Sequence, residues 1–368
     1  MAYLRGLLAL NLSPVDRVPT LGLVNSNVIK EVYGKESFDL IEAYKLLDVD
    51  FTYTHGVKEK IKPRRKRKVG IGTFDYFKDD FPYTDLFPIA YKGLILSSTY
   101  TSDQLWVVSR PFKNYDELLK YLKEKFNPVE WEYRTLTDLI NNYRYSYRRL
   151  QDPLRDVTLV AGEIYLTLFT FFLVHLGHKF TLLLLMRNPE IFEEAAKKYV
   201  PLVKMHIRAW TEVGIKAFVA HDDIAMRDRP MISPEIFEDY IASFYPYVWE
   251  PLKVRSIKII FVSDGKYLPL MDVLIKAGVS GFKINWDARL SRKEMEQVIS
   301  EYGDKYVLSF GPRYEVMMYG SLKDAKDEAK WLAELVRDVK GFFISNVVGE
   351  PKNVVAFWKT WIKERERR

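Results

Sequence analysis

The sequence predicts a single (β/α)₈ barrel, because short β-branched or aromatic runs that end in polar residues recur along it with amphipathic helical segments between them. In the C-terminal half the starts of these runs are 23 to 41 residues apart, which fits a strand, a return helix and two loops. Eight or nine such units suit a closed barrel, and we expect one domain over residues 1–368. The runs occupy residues 19–25, 51–55, 94–98, 157–163, 217–223, 258–264, 281–287, 306–311 and 342–346.

Helix-start signals between the runs support this assignment. Asn188 and Pro189 lead into a segment at 190–213 with apolar residues at helical spacing. Ser233 before Pro234 is typical of an N-cap followed by proline in the first turn. Ser291 with Glu294 forms the S-x-x-E pattern of a capping box. Each of these starts follows a predicted strand, as a βα unit requires.

Residues 60–109 do not fit the repeat. Alternating aromatic and polar residues with several prolines predict an inserted β hairpin and loops, which we expect to cover a site. This segment includes the basic run at 62–68. We interpret that run as a solvated loop; an anion or nucleic-acid patch is the alternative, and no recognition-helix or RNA-binding signature accompanies it.

Composition narrows the function classes. The 368 residues contain no cysteine, which excludes disulfides, thiolate nucleophiles and cysteine-bound zinc. Neither a secretion signal nor an uninterrupted membrane-spanning run is present, so we expect a cytoplasmic protein without a membrane partner. The net charge of +7 favours a small anionic substrate in general, whereas nucleic acid is a minor hypothesis.

Candidate site residues lie where the predicted strands end, because parallel barrels bind ligands beyond the C-terminal ends of their strands. His221, Asp222 and Asp223 form the sharpest cluster; the two acids either reach a pocket or cap the next turn. With Asp264 they make up the predicted catalytic set. The predicted substrate-binding set is Arg17, Asn25, His55, Glu163, Asn285, Asp287, Arg313, Asn346 and Glu350.

Signals for cofactors and metals are weak. His175 and His178 stand three residues apart on a predicted helical face, but apolar neighbours favour a structural role. Gly70-Ile71-Gly72 is not a dinucleotide fingerprint, and the chain has no P-loop, no G-x-S-x-G and no H-E-x-x-H. We therefore expect no cofactor and no metal.

Several motifs, in order along the chain, resemble the uroporphyrinogen decarboxylase superfamily. Residues 222–225 with 230–237 resemble its D-D-[IL]-x…P-[ML]-[IL]-S-P-E-x-F segment, and residues 262–265 resemble its H-S-D-G strand end. Residues 16–19 resemble the D-R-x-P start, and residues 110–118 the R-P…eeL step. The resemblance spans nearly the whole chain and implies a single (β/α)₈ barrel, with a homodimer as a possible assembly.

The resemblance implies, first, cofactor-free decarboxylation of a porphyrinogen-type polycarboxylate, a carboxy-lyase reaction of porphyrin biosynthesis. Asp222 or Asp223 would protonate a pyrrole carbon, while Arg17, Arg313 and the basic hairpin loop would hold the carboxylates. The family's arginine motif is absent from residues 21–27. Two alternatives are metal-independent methyl transfer with a corrinoid protein as partner, and a non-catalytic barrel that binds a tetrapyrrole or another small ligand.

Overall fold

A computed structural model of the chain describes residues 2–22, 26–54, 86–98, 105–345 and 347–366. Eight parallel strands close into a barrel in the order β1-β10-β9-β8-β7-β6-β5-β2, and β3 and β4 form a separate antiparallel pair. The strands are β1 (Thr20–Leu21), β2 (Val49–Tyr53), β3 (Ile95–Ser98), β4 (Leu105–Ser109), β5 (Leu159–Ile164), β6 (Ala217–His221), β7 (Lys258–Ser263), β8 (Gly281–Ile284), β9 (Val307–Phe310) and β10 (Phe342–Ile344).

Helices connect the strands and surround the barrel. They are α1 (Ala2–Leu10), α2 (Ser26–Tyr33), α3 (Leu40–Leu46), α4 (Phe87–Ala90), α5 (Tyr115–Glu124), α6 (Pro128–Trp131), α7 (Leu136–Leu154), α8 (Phe169–Leu176), α9 (His178–Arg187), α10 (Pro189–Thr211), α11 (Pro234–Tyr240), α12 (Tyr245–Val248), α13 (Glu250–Val254), α14 (Met271–Ala277), α15 (Arg292–Tyr302), α16 (Tyr314–Tyr319), α17 (Leu322–Val336) and α18 (Pro351–Glu364). Short 3₁₀ helices lie at Ala242–Phe244, Leu268–Leu270 and Trp286–Ala288.

The core has two parts, as the alternation of side chains along a barrel strand requires. On β7, Ile260 and Val262 pack inside the barrel with Phe51 and Phe343, whereas Phe261 packs outward against the helices. The rings of Phe51 and Phe343 lie 5.5 Å apart inside the barrel. This packed interior leaves the C-terminal ends of the strands as the place for a site.

The N-terminal end of the barrel is closed by α1 and an ionic cluster. Ala9 and Leu10 of α1 join the interior core. Buried Asp50 at the start of β2 contacts the guanidinium groups of Arg5 at 2.6 Å and Arg17 at 3.1 Å. Paired in this way, the three charges can stay buried at this end.

The predicted barrel is confirmed, but one predicted barrel strand is wrong. Residues 95–98 pair antiparallel with β4 and lie outside the barrel, because an apolar run of this length does not reveal its pairing partner. The predicted hairpin is therefore present at the end of the 60–109 segment. The basic run at 62–68 lies outside the described residues.

The predicted helix starts are confirmed. The helix expected at 190–213 is α10. The Ser233 hydroxyl accepts the Ile236 N–H, and Ser291 and Glu294 form a capping box at the start of α15. Side-chain oxygens thus satisfy amide groups that would otherwise lack partners in the first turn.

We expect Ser291→Ala to lower the free energy of unfolding by about 1 kcal/mol, because it removes the hydroxyl that accepts the Glu294 N–H. Urea denaturation followed by tryptophan fluorescence measures the change. The matched control is Ser300→Ala, an exposed position later in α15, where alanine is the better helix former. Equal stabilities for the two variants would contradict the capping role.

Within the described residues, no single helix is long and apolar enough to cross a membrane. Helices α8 and α9 reach that length and composition only together, and they meet at an angle of 116°. Most of α8 is buried inside the fold.

Candidate active site

Three inward-facing polar side chains come from three of the four successive barrel strands β5 to β8. Glu163 on β5, His221 on β6 and Lys283 on β8 occupy inward positions that are apolar further down their strands. Since parallel strands present their C-terminal ends to one side, these groups meet at the mouth of the barrel, the end from which the βα loops leave. The sequence therefore places charged groups in the top layer of an otherwise apolar interior.

His221 lies between two carboxylates. Its Nδ1 is 3.7 Å from Oε1 of Glu163, and its Nε2 is 3.3 Å from Oδ1 of Asp223. Tyr165 donates its hydroxyl to Oδ2 of Asp223 at 2.7 Å and packs its ring edge-on against the imidazole. Both ring nitrogens of His221 are buried, and neither makes a well-aligned hydrogen bond among the described residues. We call Glu163, His221, Asp223 and Asp264 the mouth cluster.

Electrostatic coupling shifts the pKa of both partners. Burial alone would lower the pKa of His221, but the carboxylates of Asp223 and Glu163 outweigh it and raise the pKa to about 9. Burial opposes ionisation of Asp223 as well, yet the His221 contact lowers the pKa of that carboxyl to about 2. The raised pKa favours the imidazolium, which offsets part of the negative charge of these acids.

A chain of hydrogen bonds connects Asp264 with a buried amine. The amide nitrogen of Asn285 donates to Oδ1 of Asp264 at 2.6 Å, and Nζ of Lys283 donates to the amide oxygen of Asn285. Burial lowers the pKa of Lys283 to about 8, against the opposing effect of Asp264 and Glu163. Lys283 is 4% exposed, and its Nζ lies 6.0 Å from the centre of the Tyr53 ring. An amine with a lowered pKa can exchange protons near neutral pH.

The mouth cluster has the geometry of a metal site. His221, Asp223 and Asp264 each offer a ligand atom, and these atoms lie within 4.8 Å of one another. Two ligands that bind one ion at about 2.1 Å are at most about 4.2 Å apart, so side-chain shifts of a few tenths of an ångström complete the site. Imidazole with carboxylates suits divalent ions such as Mn²⁺, Fe²⁺, Co²⁺ or Zn²⁺. Glu163, beside His221, is a third carboxylate and the fourth candidate ligand residue.

The turn after Asp264 is held by its neighbours. Gly265 has φ +78, and the backbone of residues 225–226 passes so close that a Cβ there would overlap it. The Gly265 N–H donates to Oδ2 of Asp287 at 2.7 Å. Burial, with the nearby charge of Asp264, raises the pKa of Asp287. Glycine at this position therefore lets three loops meet beside the mouth cluster.

Asp222 points away from the mouth cluster. It is fully buried, and its carboxylate accepts the N–H groups of Leu168, Phe169 and Thr170 at 2.6 to 3.0 Å. The hydroxyl of Tyr245 donates to it at 2.7 Å. The two adjacent acids thus take different roles: Asp223 reaches the mouth, and Asp222 anchors the start of α8.

Two predicted substrate-binding arginines do not face the mouth. Arg17 precedes β1 and lies at the opposite end of the barrel with Asp50. Arg313 follows β9 but turns outward, and its guanidinium contacts buried Glu328 of α17 at 2.6 Å. The side chain of Glu350, next to the start of α18, is exposed. Asn25, His55 and Asn346 lie outside the described residues.

The structure brings six sequence-predicted residues to the mouth, and these are Glu163, His221, Asp223, Asp264, Asn285 and Asp287. Sequence reasoning missed Lys283, Tyr53 and Tyr165. Lys283 had a readable signal, since it alternates with Phe282 and Ile284 on a strand and so faces the interior. The tyrosines had no such signal, because aromatic residues are common in this chain.

His175 and His178 are not on one helical face, because the helix breaks at Gly177 between them. The imidazole of His175 is fully buried and contacts the Ala90 carbonyl and the Tyr121 hydroxyl, each at 2.7 Å. Its ring stacks on Phe171. These contacts assign His175 to packing.

We expect His175 to make stability fall in mild acid. Burial lowers its pKa to about 4 from the ordinary 6.5, so the unfolded chain takes up the proton first as the pH falls. Between pH 7 and pH 5 this residue should remove about 2 kcal/mol of stability. Urea denaturation at both pH values measures the loss, and His175→Gln should abolish that part of it. An identical pH dependence in the variant would refute the assignment.

Comparisons with known proteins identify no family. No family model and no curated protein matches the chain. Among solved structures it is similar to a sugar phosphate isomerase/epimerase from Parabacteroides distasonis, at 10% identity and TM-score 0.34 over 61% of this chain and 77% of that one. It is also similar to a 3-keto-D-glucoside 4-epimerase from E. coli, at 11% identity and TM-score 0.36 over 68% of this chain and 95% of that one. A third similar structure is a D-psicose 3-epimerase from Clostridium cellulolyticum, at 10% identity and TM-score 0.34 over 69% of this chain and 86% of that one.

The expected membership of the uroporphyrinogen decarboxylase superfamily is wrong. No family model supports it. A porphyrinogen polycarboxylate needs cations around the mouth, whereas the described mouth is rich in carboxylates and Arg17 and Arg313 are paired elsewhere. The assignment as a carboxy-lyase of porphyrin biosynthesis falls with it. The two alternatives follow from the same resemblance and are wrong as well. These are corrinoid-dependent methyl transfer and a non-catalytic barrel that binds a tetrapyrrole or another small ligand.

Proposed function

We propose that the protein is a metal-dependent enzyme that moves a proton on a carbon next to a carbonyl in a small, hydroxyl-rich substrate, the reaction class of sugar isomerases and epimerases. One observation carries the proposal. His221, Asp223 and Asp264 offer three ligand atoms within 4.8 Å at the mouth of a barrel, beside a buried amine. A hydroxy-carbonyl compound presents two adjacent oxygens, which suits the open side of such a three-residue site.

Charge balance supports a divalent ion in the mouth cluster. Glu163, Asp223 and Asp264 bring three carboxylates around His221, and its imidazolium together with the partly protonated Lys283 balances at most two of them. A divalent cation ligated by the neutral imidazole would replace that proton with a larger positive charge. It would supply polarisation of the substrate carbonyl.

Lys283 supplies the proton transfer in this proposal. Its lowered pKa of about 8 leaves part of the amine neutral at pH 7 to 8, and Asn285 fixes the amine relative to Asp264. The neutral amine takes the proton from the carbon next to the carbonyl as electrons shift to the carbonyl oxygen. Return of the proton to the neighbouring carbon, while that carbon's hydroxyl proton moves to the former carbonyl oxygen, gives an isomer. An epimer forms when the planar intermediate turns its opposite face to the same amine before the proton returns. The amine ends neutral, so no other reactant is needed.

Deuterium exchange tests the proposal before the natural substrate is identified. Metal-free protein, prepared with a chelator, is loaded with Mn²⁺, Co²⁺, Zn²⁺ or Mg²⁺ and incubated in D₂O with a panel of aldoses and ketoses. We expect exchange of the C–H hydrogen next to the carbonyl, seen by NMR for the diamagnetic ions and by mass spectrometry for all four. The exchange should require the metal and be lost in Lys283→Met. Exchange that persists without metal, or a protein that binds none of the four ions, would overturn the proposal.

A further inference from the structure

Three aromatic side chains line one side of the mouth. Trp286 follows β8, while Tyr314 and Tyr319 begin and end α16 after β9. The rings of Trp286 and Tyr314 are stacked with centroids 4.9 Å apart, and Tyr319 meets Tyr314 edge-on at 6.4 Å. Trp286 is 40% exposed and Tyr319 74% exposed. We call these three residues the rim platform.

The rim platform is held in a fixed position. The guanidinium of Arg289 lies 4.7 Å from the centre of the Tyr314 ring and 3.6 Å from the carboxylate of Glu315. Among the described residues, Trp286 stacks on no ring other than Tyr314 and lies under no cation. A preordered aromatic surface with a face left open is suited to stack on a ligand ring.

The rim platform is continuous with the mouth cluster. Asp287, next to Trp286, accepts the N–H of Gly265, which follows the metal-ligand candidate Asp264. A ligand bound at the mouth cluster therefore meets the Trp286 turn as it extends outward. Trp286 thus offers a partly exposed ring at the edge of the site.

Charge selects the kind of ring. Asp287 and Asp264 place carboxylates beside the rim platform, and the guanidinium of Arg289 is already paired with Glu315, which disfavours an anionic ligand such as a nucleotide. A pyranose has an apolar C–H face that can lie on an aromatic ring. The hydroxyl groups at its edges can donate hydrogen bonds to carboxylates. A pyranose also matches the hydroxyl-rich substrate class of the proposed function.

We propose that Trp286, supported from behind by Tyr314, forms a subsite for a neutral pyranose ring, so that the substrate is a glycoside of at least two rings whose reacting ring reaches the mouth cluster. This inference rests on the proposed function for the role of the mouth cluster. The subsite itself is defined by stacking, which requires no metal. Binding to the two parts can therefore be measured separately.

The test compares sugar affinities of the Mn²⁺-loaded protein and its variants by isothermal titration. The probes are cellobiose and maltose, with methyl glucoside as the one-ring probe and adenosine as a neutral nucleobase probe. We expect at least one disaccharide to bind more tightly than methyl glucoside. Trp286→Ala should weaken disaccharide binding about tenfold while Mn²⁺ binds as before. Trp286→Phe should retain most of the affinity.

Tyr133→Ala is the matched control, because Tyr133 is 76% exposed in the segment before α7 and should leave every affinity unchanged. Disaccharides that bind no better than methyl glucoside, or adenosine that binds better than both, would overturn the subsite. Unchanged disaccharide affinity in Trp286→Ala would overturn it too. If the protein does not bind Mn²⁺, only the proposed function is contradicted. The disaccharide preference and its dependence on Trp286 are then measured without metal, and they test the subsite independently.

Discussion

Replacing Asp264 with asparagine is expected to weaken Mn²⁺ binding by at least about 100-fold, or about 2.7 kcal/mol. Asp264 is one of three groups that offer a ligand atom to the same space, and an amide oxygen carries no charge to replace the carboxylate. In other metal sites, substitution of a residue that only hydrogen-bonds to a ligand lowers metal affinity or activity about 10- to 100-fold. Loss of a ligand itself should therefore cost at least the upper figure. Isothermal titration of metal-free protein measures it.

The choice of Asp264 separates metal binding from folding. Its side chain is exposed, so asparagine of nearly equal size should leave the free energy of unfolding within about 0.5 kcal/mol of the original. Asp304→Asn is the matched control, since Asp304 is an exposed carboxylate after α15, before β9 and away from the mouth. Equal Mn²⁺ affinities for the two variants would show that the mouth cluster is not a metal site.

The barrel was predictable because its signal is repeated many times. Each βα unit offers an independent apolar run and helix start, so the misassigned run at 94–98 did not alter the conclusion. The location of the site followed from the barrel, since acids that end strands converge at one mouth. Glu163, Asp223 and Asp264 were found in this way.

Errors arose where a residue's role depends on a distant partner. Arg313 does follow a strand, but its side chain turns outward to pair with Glu328 on α17. The local sequence around Arg313 does not predict that pair. The wrong prediction for Arg17 was avoidable, because a residue that precedes its strand lies at the end of a parallel barrel opposite the site. The family resemblance failed for a related reason. Short strand-end motifs such as residues 262–265 satisfy local packing, as the φ of Gly265 shows, without fixing the chemistry.

Asp222→Ala is expected to have the largest effect on stability, at least about 4 kcal/mol. The carboxylate accepts three backbone N–H groups and the Tyr245 hydroxyl in a fully buried position. Alanine leaves four buried donors without an acceptor, and each such loss costs about 1 to 3 kcal/mol before relaxation. This sum rivals the total stability of many domains, which is about 5 to 15 kcal/mol. Urea denaturation followed by tryptophan fluorescence measures the change.

Tyr245→Phe keeps the test decisive if Asp222→Ala does not fold. It removes one of the four donors and retains the carboxylate, so we expect a loss of about 1 kcal/mol and unchanged Mn²⁺ affinity. Asp222→Asn should lie between the two, because its amide presents one acceptor oxygen and turns an NH₂ group towards backbone donors. A catalytic Asp222 would behave in the opposite way, with lost activity and nearly intact stability. The contrast arises because Asp222 points to the α8 start and Asp223 to His221, although the two residues are adjacent in the chain.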